Sequence, residues 1–368
     1  MEKSLYDISW QVTEPEYRAD PALSYSTLAK YGRKGRFNAL PTLFDKDVSP
    51  SLTFGSLVDC LLTGSKEEFD AQFFVAEFPK LSDALVLIAN TLFARYGKVV
   101  DDVDGMFGEA HYYATIEEMP DNYLSEVGKQ CDFWANDKWD NVRAKKIREG
   151  GIADYYKLLV LADGKEVINQ KDVDDAYAAV EALKSSDNTE FYFASNNTEV
   201  DGIERLYQLK FKGEDPEKHT KFRCMADLII VDYNAKTIQP CDLKTSSHNE
   251  WEFHKSMADW RYDIQARLYW RLIKQNIEKD EFFKDFKLLP YKFIVVNRIN
   301  LQPMVWDFPL TEAEGLLTLK TVRNGVYLWR DPYTIGEELD YYLSNPECKV
   351  PKEMKKSNNI VDFLTMYI

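Results

Sequence analysis

Two carboxylates and a lysine lie on neighbouring predicted strands, where they could hold a divalent metal ion. Asp227 opens the apolar, β-branched run of residues 228–231, and a second strand-like run spans residues 237–243. A turn-like segment separates the runs, which predicts a β-hairpin. Asp242 and Lys244 are two apart, so they project to one face of the second strand, and pairing can bring Asp227 beside them. This set suits a divalent cation with an activated water.

A purely structural role also fits these residues. Asp242 and Lys244 could form an ion pair at a strand end, with Asp227 unrelated to it. An aspartate two residues before a lysine is common in unrelated chains, so the chemistry depends on the elements around the hairpin.

Strands and helices both surround the hairpin. The spacing of apolar residues predicts further strands at 199–212, 291–297 and 304–308. It predicts helices at 84–96, 172–185, 250–276 and 311–329. This order predicts an α/β or α+β fold with one mixed central sheet flanked by helices. We expect one integrated domain, with a mainly helical N-terminal region and insertion at 1–190, a core at 191–335 and a polar tail at 336–368.

A basic cluster lies on the first predicted helix. Ser24 is a candidate N-cap for a helix that runs through Leu28 and Tyr31. The far side of this helix carries Lys30, Arg33, Lys34 and Arg36. Either this face is solvated, or it contacts phosphate groups.

Asp59 is an acidic residue in an apolar setting. It lies on a predicted helix over residues 51–62, which Gly64 ends, and its neighbours include Val58 and Cys60. An unpaired buried charge is costly, so this carboxylate needs a partner. It is either a hydrogen-bonded structural aspartate or a metal ligand.

Composition limits the class of protein. The chain has 368 residues, with 46 basic and 61 acidic side chains and a net charge of −15, which argues against a general nucleic-acid coat. No apolar run is long enough to span a membrane, and the first residues lack a signal sequence, so we expect a cytosolic protein. The five cysteines show no CxxC spacing and are expected to be reduced.

The hairpin resembles the metal site of the PD-(D/E)xK nuclease superfamily. Ala226-Asp227 and Asp242-Leu243-Lys244 stand where that family has Pro-Asp and then Asp or Glu, any residue, and Lys. Ala226 departs from the proline, which is not a ligand. Gln265 and Tyr269, four apart on the following helix, are similar to the Gln-x-x-x-Tyr feature of the RecB-like branch.

Softer similarities extend along the chain. Residues 55–59 resemble the Gly-x-x-x-His helix of that branch, with Asp59 in place of the histidine. Residues 24–28 and 162–168 are similar to RecE-type phage and prophage exonucleases. The four-cysteine iron–sulfur staple of several RecB-like nucleases is not expected, because Cys348 alone lies near the C-terminus.

The resemblance implies a restriction-endonuclease-like core and metal-dependent phosphodiester hydrolysis. Asp227, Asp242 and the Leu243 carbonyl would bind one or two Mg²⁺ or Mn²⁺ ions, with Asp59 as a further ligand. Lys244 would position and polarise the attacking water. Gln265 would orient the substrate or the lysine, and Tyr269 would stack or hydrogen-bond near the scissile phosphate. Glu204 is either a supporting carboxylate or an exposed strand residue.

A DNA exonuclease that resects linear duplex ends for recombination or repair is the main functional hypothesis. The alternatives are a single-strand nuclease or endonuclease of the same fold, and a non-catalytic DNA-binding or assembly protein. The resemblance further implies a homo-oligomer, a single-strand annealing or recombination protein as partner, and a bacterial or phage source.

Overall fold

The computed structural model describes residues 3–34, 40, 43–44, 49–97, 112–309, 321–322, 326–327 and 331–348. Numbered along the chain, its described helices are α1 (Glu14–Ala19), α2 (Tyr25–Lys34), α3 (Pro50–Thr63), α4 (Lys66–Gln72), α5 (Asp83–Tyr96), α6 (Asp121–Gln130), α7 (Asp140–Glu149), α8 (Ile152–Ala162), α9 (Gln170–Ser185), α10 (Glu190–Phe193), α11 (Thr198–Asp201), α12 (Phe253–Trp260), α13 (Tyr262–Ile277) and α14 (Pro332–Ser344). The described strands are β1 (Phe73–Val75), β2 (Glu166–Ile168), β3 (Ile203–Glu214), β4 (Lys221–Asp232), β5 (Thr237–Ser246), β6 (Lys287–Leu288), β7 (Lys292–Asn297), β8 (Pro303–Asp307), β9 (Thr321–Val322) and β10 (Val326–Tyr327). Short 3₁₀ helices lie at Leu5–Ile8, Asp137–Trp139 and Glu250–Glu252.

The chain divides into two compact units. The first comprises residues 1–45 and 182–368, and the second comprises residues 46–181. The first 45 residues therefore belong with the strand-rich unit, although the sequence pattern had grouped them with the helical region. Leu23 is tied to β4 by main-chain bonds, because its N–H donates to Lys221 and its carbonyl accepts from Arg223.

A mixed sheet forms the centre of the first unit. Its strand order is β3-β4-β5-β7-β8, and β6 pairs with β5 at one end. The β5–β7 pair is parallel, whereas β3–β4, β4–β5 and β7–β8 are antiparallel. The expected α/β character and mixed sheet are therefore present, together with the predicted strands before and after the hairpin.

Two helices, α12 and α13, stand where one long helix was predicted. Arg261 adopts the left-handed conformation, with φ of 56°, and its N–H closes α12 on the carbonyl of Ala258. Its guanidinium then pairs with buried Asp263 in the first turn of α13. This conformation normally marks glycine at a helix end, so an arginine there gives no sequence signal.

The C-terminal prediction was partly wrong. Helix α14 occupies residues that were expected to form the polar tail, and its N-cap, Asp331, accepts from the N–H of Tyr333. Asp331 also pairs with Arg271 of α13. The predicted helix at 311–329 is wrong at its four described residues, where β9 and β10 pair antiparallel. The other residues of that range lie outside the described part.

The second unit contains helices α3 to α8 and most of α9, so this part of the chain is mainly helical, as expected. Its core is built from α5, α6, α7 and α8, with Leu92, Leu124, Ile147 and Tyr156 fully buried. Strands β1 and β2 form a short parallel pair. Among the described residues of the whole chain, no helix has the length and apolar character needed to cross a membrane.

Candidate active site

The predicted hairpin brings the two carboxylates together. Strands β4 and β5 are antiparallel, and their last paired residues at this end are Leu228 and Cys241. The next position on each strand is Asp227 and Asp242, so the carboxylates leave neighbouring positions in the sheet. Asp227 is half-buried, and its Oδ2 accepts the N–H of Leu243 at 2.9 Å.

An irregularity in the sheet sets the position of Asp227. Gln208 lies across from it on β3 and has the left-handed conformation, with φ of 54°. Ala226 and Ile229 both join the core, although they are three apart, so the inward face changes phase between them. A local break in alternation re-aims side chains, as at a β-bulge. Here it releases Asp227 from the regular ladder next to Asp242.

Asp242 is the most enclosed member of the site. Its side chain has no exposed surface, and its Oδ1 accepts the Nε2 hydrogen of Gln265 at 2.5 Å. Its Oδ2 forms an ion pair with the Lys244 ammonium. The carboxylate is therefore held between strand β5 and helix α13.

Burial and like charge oppose ionisation of Asp242. Removal from water raises the pKa of this carboxyl well above its ordinary value, and the neighbouring Asp227 charge raises it further. The Lys244 charge acts in the opposite direction without cancelling the rise. Two such carboxylates gain from a shared cation, which would stabilise both charges at once.

Lys244 remains a cation in this setting. Burial alone would lower the pKa of its ammonium, but the charge of Asp242 and interactions with Tyr262 and Asp227 outweigh burial and raise it. The Nζ lies 4.9 Å from the centre of the Tyr262 ring, in a cation–π contact. Lys244 is thus a hydrogen-bond donor and a positive charge at neutral pH, not a base.

Helix α13 places both of its predicted residues over the hairpin. Gln265 and Tyr269 are one turn apart, and 5% and 7% of their surfaces are exposed. Burial raises the pKa of Tyr269 well above its ordinary value, as do the charges of nearby acidic groups. The Tyr269 hydroxyl therefore stays protonated. Of the two, Gln265 has the hydrogen bond to Asp242, whereas Tyr269 packs its ring against Tyr291 at 6.3 Å between centroids.

The donor set fits a hard cation such as Mg²⁺ or Mn²⁺. Asp227 and Asp242 supply carboxylate oxygens, and the main-chain carbonyl of Leu243 lies between Asp242 and Lys244 in sequence. Within the described residues, no three His, Cys, Asp or Glu side chains form a metal-binding cluster. Mg²⁺ commonly takes one or two carboxylates and completes its shell with water and substrate phosphate. A half-buried and a fully buried carboxylate at neighbouring positions are compatible with that preference.

Asp59 lies in the second unit, on helix α3. The helix ends at Gly64 as predicted, with the Gly64 N–H donating to the Cys60 carbonyl. Asp59 is half-buried, and its main-chain carbonyl accepts the Thr63 hydroxyl at 2.9 Å. Its role as a metal ligand stays a prediction.

The basic cluster of helix α2 is described only in part. Lys30 is 3% exposed, so a solvated face is wrong for this residue. The side chains of Arg33 and Lys34, and all of Arg36, lie outside the described residues. At its start, however, the helix reaches the site, because the Tyr25 ring lies 6.3 Å from that of Tyr262. Phosphate contact by this cluster stays a prediction.

Glu204 has a structural role that neither sequence interpretation included. It is 8% exposed, so it is not an exposed strand residue. Its carboxylate accepts the Ser4 hydroxyl at 2.9 Å and the Tyr233 hydroxyl at 2.6 Å. These bonds fix the N-terminal residues and the β4–β5 turn to β3. A role of Glu204 as a supporting carboxylate of the candidate site stays a prediction.

Two tyrosines near the site were missed by sequence reasoning. Tyr262 lies three residues before Gln265, which is a helical spacing that could have indicated a shared face. Tyr291 immediately precedes β7, and it lies two residues before Phe293 and four before Val295. Phe293 and Val295 pair with Asp242 and Lys244 of β5. That alternation places Tyr291 on the same face of the sheet as the acidic pair.

Comparison with known proteins gives no family assignment. No protein-family model matches the chain, and no curated protein matches it. The function must therefore be argued from the site itself.

Proposed function

We propose that this protein is a Mg²⁺- or Mn²⁺-dependent deoxyribonuclease with a restriction-endonuclease-like core, acting as an exonuclease on linear DNA. One observation carries the proposal: the 2.5 Å hydrogen bond from Gln265 to Asp242. These residues come from two separate parts of the resemblance, the helix feature and the strand motif. Their direct contact in a buried position is what a shared active site requires.

Each residue of the site would have a distinct role in hydrolysis. A bound Mg²⁺ or Mn²⁺ ion would supply Lewis-acid stabilisation of charge developing on the scissile phosphate. Asp227 and Asp242 would hold the ion with the Leu243 carbonyl, and Gln265 would fix the orientation of Asp242. Lys244, as a protonated donor, would orient the attacking water and stabilise negative charge near it. Tyr269 would add a protonated hydroxyl at the edge of the site.

DNA is the substrate that the resemblance favours. The net charge of −15 weakens non-specific attraction to polyanions, so substrate contact depends on local basic groups such as those of helix α2. A homo-oligomer and a single-strand annealing or recombination partner fit an enzyme that resects duplex ends. Both belong to the proposal and follow from the resemblance alone.

The direct experiment compares three DNA substrates. End-labelled linear duplex, single strand and closed circle are incubated with the purified protein, each with Mg²⁺ and with EDTA. We expect Mg²⁺-dependent loss of linear duplex, with the circle intact.

Each other outcome selects a different function. Degradation of single strands alone indicates a single-strand nuclease, and cutting of the circle indicates an endonuclease. Binding without any cutting in Mg²⁺ or Mn²⁺ contradicts the catalytic proposal and favours a DNA-binding or assembly protein.

A further inference from the structure

The buried hydroxyl of Tyr291 lies close to the candidate site and has no assigned role. The side chain is fully buried, yet its hydroxyl oxygen has no hydrogen-bond partner among the described residues. Buried polar groups are nearly always paired, because an unpaired one has lost its hydrogen bonds to water without replacement. An unpartnered hydroxyl at this position therefore calls for an explanation.

A second unpartnered atom lies on the neighbouring helix. Gln265 donates through Nε2 to Asp242, but its Oε1 is buried without a partner in the described part of the chain. An amide oxygen accepts and a phenol hydroxyl donates, so the two atoms are chemically complementary. The Tyr291 pKa is raised well above its ordinary value, first by burial and then by the charge of Asp242, so the phenol keeps its hydrogen.

The sheet and helix bring these side chains to one place. Tyr291 shares the sheet face of Asp242, because Phe293, two residues further along, pairs with Asp242. Its ring lies 6.3 Å from that of Tyr269, which is one helical turn from Gln265. The Tyr291 ring also contacts that of Phe293, at 5.4 Å between centroids. The Tyr291 ring thus packs between the sheet and the face of α13 that carries Tyr269.

We infer that Tyr291 is a positioning residue: its hydroxyl is linked to Oε1 of Gln265 through one buried water. The water would accept the phenol hydrogen and donate to the amide oxygen, which favours the orientation with the amide nitrogen facing Asp242. With the amide reversed, its oxygen would meet the carboxylate oxygen and the donor to Asp242 would be lost. Tyr291 thus acts on the site through Gln265 and touches no substrate. The inference rests on the proposed function for its kinetic readout.

A double-mutant cycle tests this chain of contacts. Tyr291→Phe removes the hydroxyl and keeps the ring, and Gln265→Met removes the amide with little change in volume. We expect Tyr291→Phe to lower kcat about tenfold or more with KM unchanged, as for other groups that orient a metal ligand. In the Gln265→Met background, the same change should alter kcat less than about twofold, because the acceptor is already absent.

A matched control and a second readout keep the test decisive. Tyr156→Phe removes another fully buried hydroxyl, which donates to the Tyr113 carbonyl in the second unit, and should leave kcat unchanged. The apparent Mn²⁺ affinity, measured by thermal shift, is recorded for all variants and should show the same non-additivity. This readout applies even where a variant has no measurable hydrolysis.

Two results overturn the inference. One is a wild-type kcat and Mn²⁺ affinity in Tyr291→Phe. The other is an equal effect of that change with and without the Gln265 amide. Either result, with Asp242→Asn inactive, leaves the proposed function standing. Wild-type hydrolysis by Asp242→Asn would instead contradict the proposed function. The Mn²⁺ affinities of the double-mutant cycle would then test the role of Tyr291 independently of hydrolysis.

Discussion

Gln265 and Asp242 are joined by a buried hydrogen bond of 2.5 Å that connects helix α13 to strand β5. The bond gives one oxygen of a fully buried carboxylate a donor, while Lys244 faces the other. It is therefore the contact on which the geometry of the candidate site most depends.

Loss of the Gln265 amide should destabilise the protein. Gln265→Met leaves Oδ1 of Asp242 buried without its donor, which we expect to cost about 1–3 kcal/mol in the free energy of unfolding. Urea denaturation in EDTA measures this change. Gln170→Met is the control, because Gln170 makes a similar bond to Asp174 on an exposed helix surface, worth about 0.2–0.5 kcal/mol. Equal effects of the two substitutions would contradict a structural role for the buried bond.

The charge of Asp242 should lower stability in the absence of metal. Its raised pKa means that the folded state binds this proton more tightly than the unfolded state, so ionisation costs stability as pH rises through the shifted pKa. Asp242→Asn mimics the neutral acid. In EDTA at pH 7 we expect the variant to be more stable than wild type, with the difference shrinking as pH falls below the raised pKa.

The same comparison decides between a metal site and a structural ion pair. If the Asp242–Lys244 pair existed mainly to stabilise the fold, Asp242→Asn would be the less stable protein at pH 7. Urea denaturation of both proteins at pH 7 and at lower pH, in EDTA, separates the two interpretations.

Metal binding should stabilise wild type and require both carboxylates. A ligand present at 100 times its Kd adds about 2.7 kcal/mol to the free energy of unfolding. We expect Mn²⁺ to raise the Tm of wild type, and to leave the Tm of Asp227→Asn and Asp242→Asn nearly unchanged. Asp307→Asn is the control, since Asp307 is an exposed carboxylate paired with Lys292 and should keep the full shift. A full Mn²⁺ shift in Asp242→Asn would contradict its assignment as a ligand.

Lys244 should be needed for hydrolysis and dispensable for metal binding. Lys244→Met removes the protonated donor, and we expect a loss of about 10² or more in kcat. Its Mn²⁺-induced Tm shift should persist or grow, because the ammonium no longer competes for Oδ2 of Asp242. Lys292→Met, on the neighbouring strand, should behave as wild type in both assays. Loss of the Mn²⁺ shift in Lys244→Met would point to a structural role for the lysine.

Local patterns predicted the elements that carry the site. The β-branched runs around Asp227 and Asp242 gave the hairpin, and the spacing of Gln265 and Tyr269 gave one helix face. Both features follow from the spacing of residue types along a short stretch of sequence, so they can be predicted without knowledge of the tertiary structure.

Long-range and unusual backbone features could not be predicted. Gln208 and Arg261 adopt left-handed conformations that the sequence does not signal, and they set the sheet irregularity at Asp227 and the break before α13. Tyr291 joins the site only through the parallel pairing of β5 with β7. The attachment of Leu23 to β4 likewise depends on tertiary contact. The cap of α14, Asp331 followed by proline, was a readable signal that the tail prediction missed.

Hydrolysis of end-labelled linear duplex DNA by wild type, Asp242→Ala and Lys244→Ala tests the central claim most directly. The three purified proteins are compared in Mg²⁺ and in EDTA, with circular dichroism as the check on folding. We expect wild type to degrade the duplex only with Mg²⁺, and both folded variants to be inactive. Retained Mg²⁺-dependent degradation by both variants would contradict a catalytic site built on Asp242 and Lys244.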